Sequence, residues 1–80
     1  MNNAKILAQV QQCVSSVFNI DPGSITADAT YETVPGWDSL GHLRLIMAVE
    51  EAFAVHFSTE EIPTLLSVRL LCDALVKYVP

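Results

Sequence analysis

Val34-Pro35-Gly36-Trp37-Asp38-Ser39-Leu40 is the stretch on which the reading of this chain turns. Pro35-Gly36 predicts a tight turn that ends a polar loop. Asp38 is a natural helix N-cap, and its carboxylate suits the positive end of a helix. Ser39 then stands at the first helical position, where unpaired backbone N–H groups point outward and an anion is favoured. One hydroxyl is thereby expected in solvent at the mouth of a helix, with Leu40 as apolar ground beside it and Gly41 leaving room.

Downstream, the helix is expected to run from about Ser39 to Ala54. It carries two apolar stripes. Leu45, Ile46, Val49 and Phe53 are spaced for a core, while Leu40, Leu43 and Met47 are shifted around the cylinder. Gly41, Arg44, Ala48 and Glu51 form a narrow face read as non-core. An 80-residue chain has little interior for so much apolar helix surface, so the second stripe is expected to dock a partner.

Upstream, Ile6, Leu7, Val10, Cys13, Val14, Val17 and Phe18 trace one face of a helix over roughly Asn3 to Phe18, capped by Asn2 or Asn3. From Asn19 to Asp38 the periodicity dissolves. Asp21-Pro22-Gly23-Ser24 reads as a turn. A connection this long must serve function or pack on the core, with Ile25 and Val34 as anchors and Tyr31 and Trp37 adding to the packing. After Val55-His56-Phe57, Ser58 or Thr59 caps a short helix that has Glu60 and Glu61 in its first turn and is disturbed by Pro63. Ser67 caps a last helix with a stripe of Val68, Leu71, Cys72, Leu75 and Tyr78. The fold class is all-α: a four-helix bundle of three longer helices and one short one, with a long first loop, in a single domain over residues 1–80.

Composition excludes several functions. Nine acidic residues against Lys5, Arg44, Arg69 and Lys77 give a net charge of −5, which disfavours nucleic acid and favours protein partners with basic patches. No apolar run is long enough to span a membrane, and no leader or lipidation motif is visible at residues 1–5. Cys13 and Cys72 lie in helical patterns and read as buried free thiols rather than a disulfide framework. The two His and two Cys lack metal-ligand spacing. A hydrolase fails on its parts: Trp37 stands where the Gly-x-Ser-x-Gly turn needs glycine, and Ser39 with His42 has no orienting third group. Neither a catalytic residue nor a metal ligand is therefore assigned.

With these flanks in order, the chain resembles the acyl carrier proteins. The resemblance rests on Gly36-Trp37-Asp38-Ser39-Leu40, Asp21-Pro22, Ala48-Val49-Glu50-Glu51-Ala52-Phe53 and Leu65-Leu66-Ser67-Val68. It implies that Ser39 is the covalent attachment point of a 4′-phosphopantetheine arm derived from coenzyme A, with Asp38 and Leu40 beside it. It implies partner-facing roles for Leu40, Leu43, Arg44, Met47, Glu50 and Glu51. The implied partners are a phosphopantetheinyl transferase, an acyl ligase or acyltransferase, and a ketosynthase or other acyl-processing enzyme. A cytoplasmic monomer is expected, with the acyl chain partly entering the bundle between the second helix and its neighbours.

The chain departs from the fatty-acid carriers at Gly41, His42, Arg44 and Ala52, where acids or small polar residues are common in the family. Arg44 places positive charge on the docking face and would penalise a basic partner. With Trp37, this resembles a discrete carrier of a polyketide or other specialised acyl pathway. Two other readings stay open: an aminoacyl or D-alanyl carrier, and an unmodified helical interaction module that keeps the carrier fold.

Overall fold

The computed structural model describes residues 2–79. Three α-helices carry the architecture: α1 (Asn3–Phe18), α2 (Ser39–Phe53) and α3 (Val68–Tyr78). Two single 3-10 turns, Pro22–Ser24 and Ile62–Thr64, punctuate the connections. Among the described residues there is no β-strand beyond one isolated bridge between Thr30 and Ser67. The all-helical fold is the expected one, and its short fourth element is the Ile62–Thr64 turn. In the turn just before it, Ser58 and Glu61 bond reciprocally: Glu61 N–H donates to Ser58 Oγ, and Ser58 N–H donates to Glu61 Oε1. Pro63 follows at once, and the segment stays a turn.

Each long helix starts on a side-chain cap. Asn2, not Asn3, accepts the Lys5 N–H; Asp38 accepts the Gly41 N–H; Ser67 accepts the Leu70 N–H. Both α1 and α2 end on a left-handed non-glycine residue, Asn19 and Ala54, whose N–H returns to a carbonyl of the last turn.

α1 packs against both α2 and α3. The core is filled by Ile6, Val10 and Val14 of α1, Leu45, Ile46 and Val49 of α2, and Val68, Leu71 and Leu75 of α3. Ile25 and Val34 anchor the long loop as expected, and Trp37 is buried with them. That loop is also stitched down by backbone bonds. Val68 N–H donates to Ala29 O, Arg69 N–H to Ala27 O and Tyr31 N–H to Leu66 O, while Gln11 Nε2–H donates to Ile25 O. Buried backbone groups of an irregular segment need such partners.

Four expectations from the pattern are corrected. Tyr31 is exposed rather than packed on the core. Gly41 and Ala48 do not belong to an outer face: Gly41 is buried, and Ala48 is half-buried against the core. Cys13 is buried, but Cys72 only partly so; burial pushes both thiol pKa values up, which disfavours the thiolate. Tyr78 leaves the core stripe, and Ala74 takes the buried position instead. The Tyr78 ring meets Phe57 edge-on, and its hydroxyl donates to Glu61.

This last contact has a pH signature. The hydrogen bond from Tyr78, then the Ser58 N–H and the Lys77 charge, hold the Glu61 carboxyl below its ordinary range. A carboxylate lowered on folding stabilises above its unfolded pKa and loses that contribution as pH falls through its folded one. Tyr78→Phe is therefore expected to lower Tm at neutral pH. The gap between variant and wild type should close as pH drops below the usual glutamate range, about 4.3. A gap that persists through this acid range would assign the effect to packing on Phe57 instead.

Candidate functional site

Asp38 builds the site's entrance. Its N–H donates to Gly36 O at 2.9 Å, closing the turn in which Gly36 takes a φ of 91°. That conformation suits glycine because a Cβ is penalised there. Asp38 Oδ1 accepts the Gly41 N–H at 2.8 Å, and its carbonyl accepts the His42 N–H at 2.7 Å. By helix geometry the N–H groups of Ser39 and Leu40 have no intrahelical acceptor and face outward. Ser39 itself is exposed, as are Asp38 and Leu40.

Gly41 sets how close α2 comes to the turn. A Cβ there would lie 2.1 Å from Gly36 O and 2.8 Å from the Phe18 ring. The residue therefore does not leave free room beside Ser39, as the pattern suggested; its missing side chain is what lets α2 start directly against the loop.

An open groove of about 610 Å³ runs from Ser39 toward the Ile62–Thr64 turn. Tyr31, Leu43, Pro63 and Leu66 form its walls, and the buried Trp37 and His42 form its floor. In the sequence, His42 reads as a rejected partner for Ser39 and as a departure from the fatty-acid carriers. Its geometry gives it another task. Trp37 Nε1–H donates to His42 Nδ1 at 2.9 Å, so the proton resides on Nε2, which donates to Ile62 O at 2.8 Å. Both ring nitrogens are occupied, and neither serves Ser39. A buried, bonded histidine carries no mark in a linear pattern apart from an apolar neighbourhood, which here includes Leu40 and Leu43.

The second stripe of α2 is outside. Leu40 and Met47 are each 67% exposed and Leu43 is 54% exposed. The helix brings these three together on one face. Arg44 lies beside them, exposed, and its Nη2 donates to Val17 O at 2.8 Å, covering a carbonyl at the end of α1. Glu51 is exposed. Glu50 is turned inward: its Oε2 accepts the Phe57 N–H at 2.8 Å, and His56 Nδ1 lies 3.8 Å away. It is partly spent on holding the chain after α2 and so is less available than its neighbour.

Among the described residues no cluster of His, Cys, Asp or Glu could hold a metal ion, and no helix is long and apolar enough to cross a membrane.

Comparison with known proteins agrees with this arrangement. Residues 8–75 match the model of the family described as "Phosphopantetheine attachment site". An acyl carrier protein of Thermosynechococcus vestitus is 34% identical over 73 residues, covering 91% of this chain and 90% of that protein. One from Guillardia theta is 38% identical over 55 residues, covering 69% and 68%, and one from Rubrobacter xylanophilus is 28% identical over 78 residues, covering 98% and 96%. The local chemistry fits such a group: an accessible hydroxyl, outward N–H groups at a helix start, and apolar ground alongside.

Proposed function

This chain belongs to the acyl carrier protein family and bears a covalent 4′-phosphopantetheine, and on that premise we propose that Ser39 is the attachment residue of a single carrier domain over residues 1–80. The observation that carries the proposal is the exposed Ser39 hydroxyl at the first position of α2, held there by the Asp38 cap. Asp38 and Leu40 flank the phosphodiester, with the helix end favouring its negative charge. When bound, the group supplies a thiol on which an acyl chain is held as a thioester. The protein contributes presentation: an outward tether point, an apolar groove beside it, and a docking face. It has no catalytic residue of its own.

Leu40, Leu43 and Met47 are proposed to seat partner enzymes, with Arg44, Glu50 and Glu51 around them. A phosphopantetheinyl transferase, an acyl ligase or acyltransferase, and a ketosynthase or similar enzyme are the partner classes. Arg44 favours partners with an acidic counterpart over strongly basic ones, which supports a polyketide or other specialised acyl pathway; a cytoplasmic location is part of the same proposal.

The test is intact mass after incubation with coenzyme A, magnesium and a broad-specificity transferase. One added phosphopantetheine on Ser39 is the expected product; an unchanged mass would favour the unmodified interaction module. An aminoacyl carrier would take up the same arm and differ in the ligase that loads it.

Met47→Glu probes the docking face. Met47 is two-thirds exposed, and glutamate is a good helix former, so Tm should stay within about 4 °C of wild type. Placing a charge against an apolar partner surface is expected to slow acyl transfer to partner enzymes about tenfold or more. A collapse of Tm instead would make Met47 part of the core.

A further inference from the structure

The groove beside Ser39 stops at a bridge. Phe18, Trp37 and His42 stack in sequence, with ring centroids 5.8 Å and then 6.2 Å apart. The hydrogen-bond chain from Trp37 Nε1 through His42 to Ile62 O ties α2 to the turn that follows it. Trp37 is 3% exposed and His42 is 8% exposed, and both line the groove. Along the far wall, residues 62–66, Leu65 is anchored in the core, His42 donates to the Ile62 carbonyl, and the Tyr31 N–H donates to the Leu66 carbonyl. Pro63, between them, has no N–H to offer.

We infer that this Trp37–His42–Ile62 bridge closes the groove against the core and thereby sets the length of apolar cargo the carrier shelters. His42 is its positioning residue. A histidine suits the task because one neutral ring offers an acceptor to the indole and a donor to the carbonyl at once. An apolar residue would leave the buried Trp37 N–H without a partner, a costly state for a buried polar group, and would leave the Ile62 carbonyl with the Leu65 N–H alone. The chain of a long acyl group, expected from resemblance to pass between α2 and its neighbours, meets this bridge first and lies along the outer groove. The inference rests on the carrier reading and adds the identity of the residue that limits its cargo.

The experiment uses the full chain, loaded through a transferase with acetyl, hexanoyl, decanoyl and tetradecanoyl pantetheine arms. Arm addition is verified by mass before any comparison; failure at that step overturns the carrier reading, and the bridge with it. For each variant, Tm of the acylated form is compared with Tm of its own unacylated holo form, which cancels a general loss of stability. In wild type the gain is expected to level off between hexanoyl and tetradecanoyl. In His42→Ala, which removes the ring and its bonds to Trp37 and to the Ile62 carbonyl, the gain should keep rising, by about 4 °C or more across the same interval. His42→Gln, which keeps one acceptor and one donor, should restore the plateau, and Trp37→Phe, which keeps the stack and loses the indole donor, should weaken it without requiring that the alanine variant fold. With arms attached, equal profiles in wild type, His42→Ala and Trp37→Phe would overturn the inference while leaving the carrier reading intact. So would a wild-type gain that rises without a plateau.

Discussion

Ser39→Ala is expected to give no detectable phosphopantetheine addition under conditions that convert wild type fully. Its Tm should stay within about 4 °C of the parent, since an exposed substitution away from cap and core changes stability by about 0.5 kcal/mol at most. The argument is one of division of labour at the helix start. The Asp38 side chain carries the cap through its bond to the Gly41 N–H, so removing the neighbouring hydroxyl leaves α2 intact. What disappears is the single oxygen on which a phosphodiester would form. Intact mass and far-UV circular dichroism on the same samples separate the two effects. A folded alanine variant that still gains the arm would move the attachment point elsewhere and remove the basis of the proposed function.

Gly41→Ala is expected to have the largest effect on stability of any one-carbon change near the site. Helix propensity alone favours alanine by about 1 kcal/mol at an interior position. The contacts reverse that sign. A methyl 2.1 Å from a backbone oxygen and 2.8 Å from an aromatic ring cannot be accommodated by a side-chain swing. Either α2 or the Pro35-Gly36 turn must move, and overpacking of this kind costs about 1–3 kcal/mol. With the propensity gain set against it, the net cost reaches up to about 2 kcal/mol, a fall in Tm of up to about 8–16 °C for a domain of this size. The displacement also pulls the Gly41 N–H away from Asp38 Oδ1, so arm addition at Ser39 should slow in the folded variant. A Tm equal to or above wild type would mean that the turn yields freely and that the close approach does not position Ser39.

How much of this was legible beforehand can be traced residue by residue. The span of α1 and the start of α2 followed from apolar spacing and from Asn and Asp caps, because these signals act over one or two helical turns. The two stripes of α2 separated correctly into buried Leu45, Ile46 and Val49 and exposed Leu40, Leu43 and Met47, since angular position on a helix is set by spacing alone. Gly41 was misplaced because a glycine carries no apolar signal; its burial comes from Phe18 and Gly36, which reach it through the fold. Tyr78 was assigned to the core by its spacing, yet its hydroxyl finds Glu61, seventeen positions away. Glu50 looked like half of a free acidic pair until the chain after α2 folded back to place the Phe57 N–H on it.

Local order along the chain therefore determined three helices, their caps, a serine at a helix mouth and the apolar stripe beside it. All of these depend on residues within a few positions of one another. The tertiary structure alone decided that Trp37 and His42 join to hold Ile62, that Gly41 brings α2 against the Gly36 turn, and that the groove beside Ser39 ends where it does. Those features need groups distant in sequence to arrive at hydrogen-bond or van der Waals distance, and no periodicity in a single chain encodes which partners will meet.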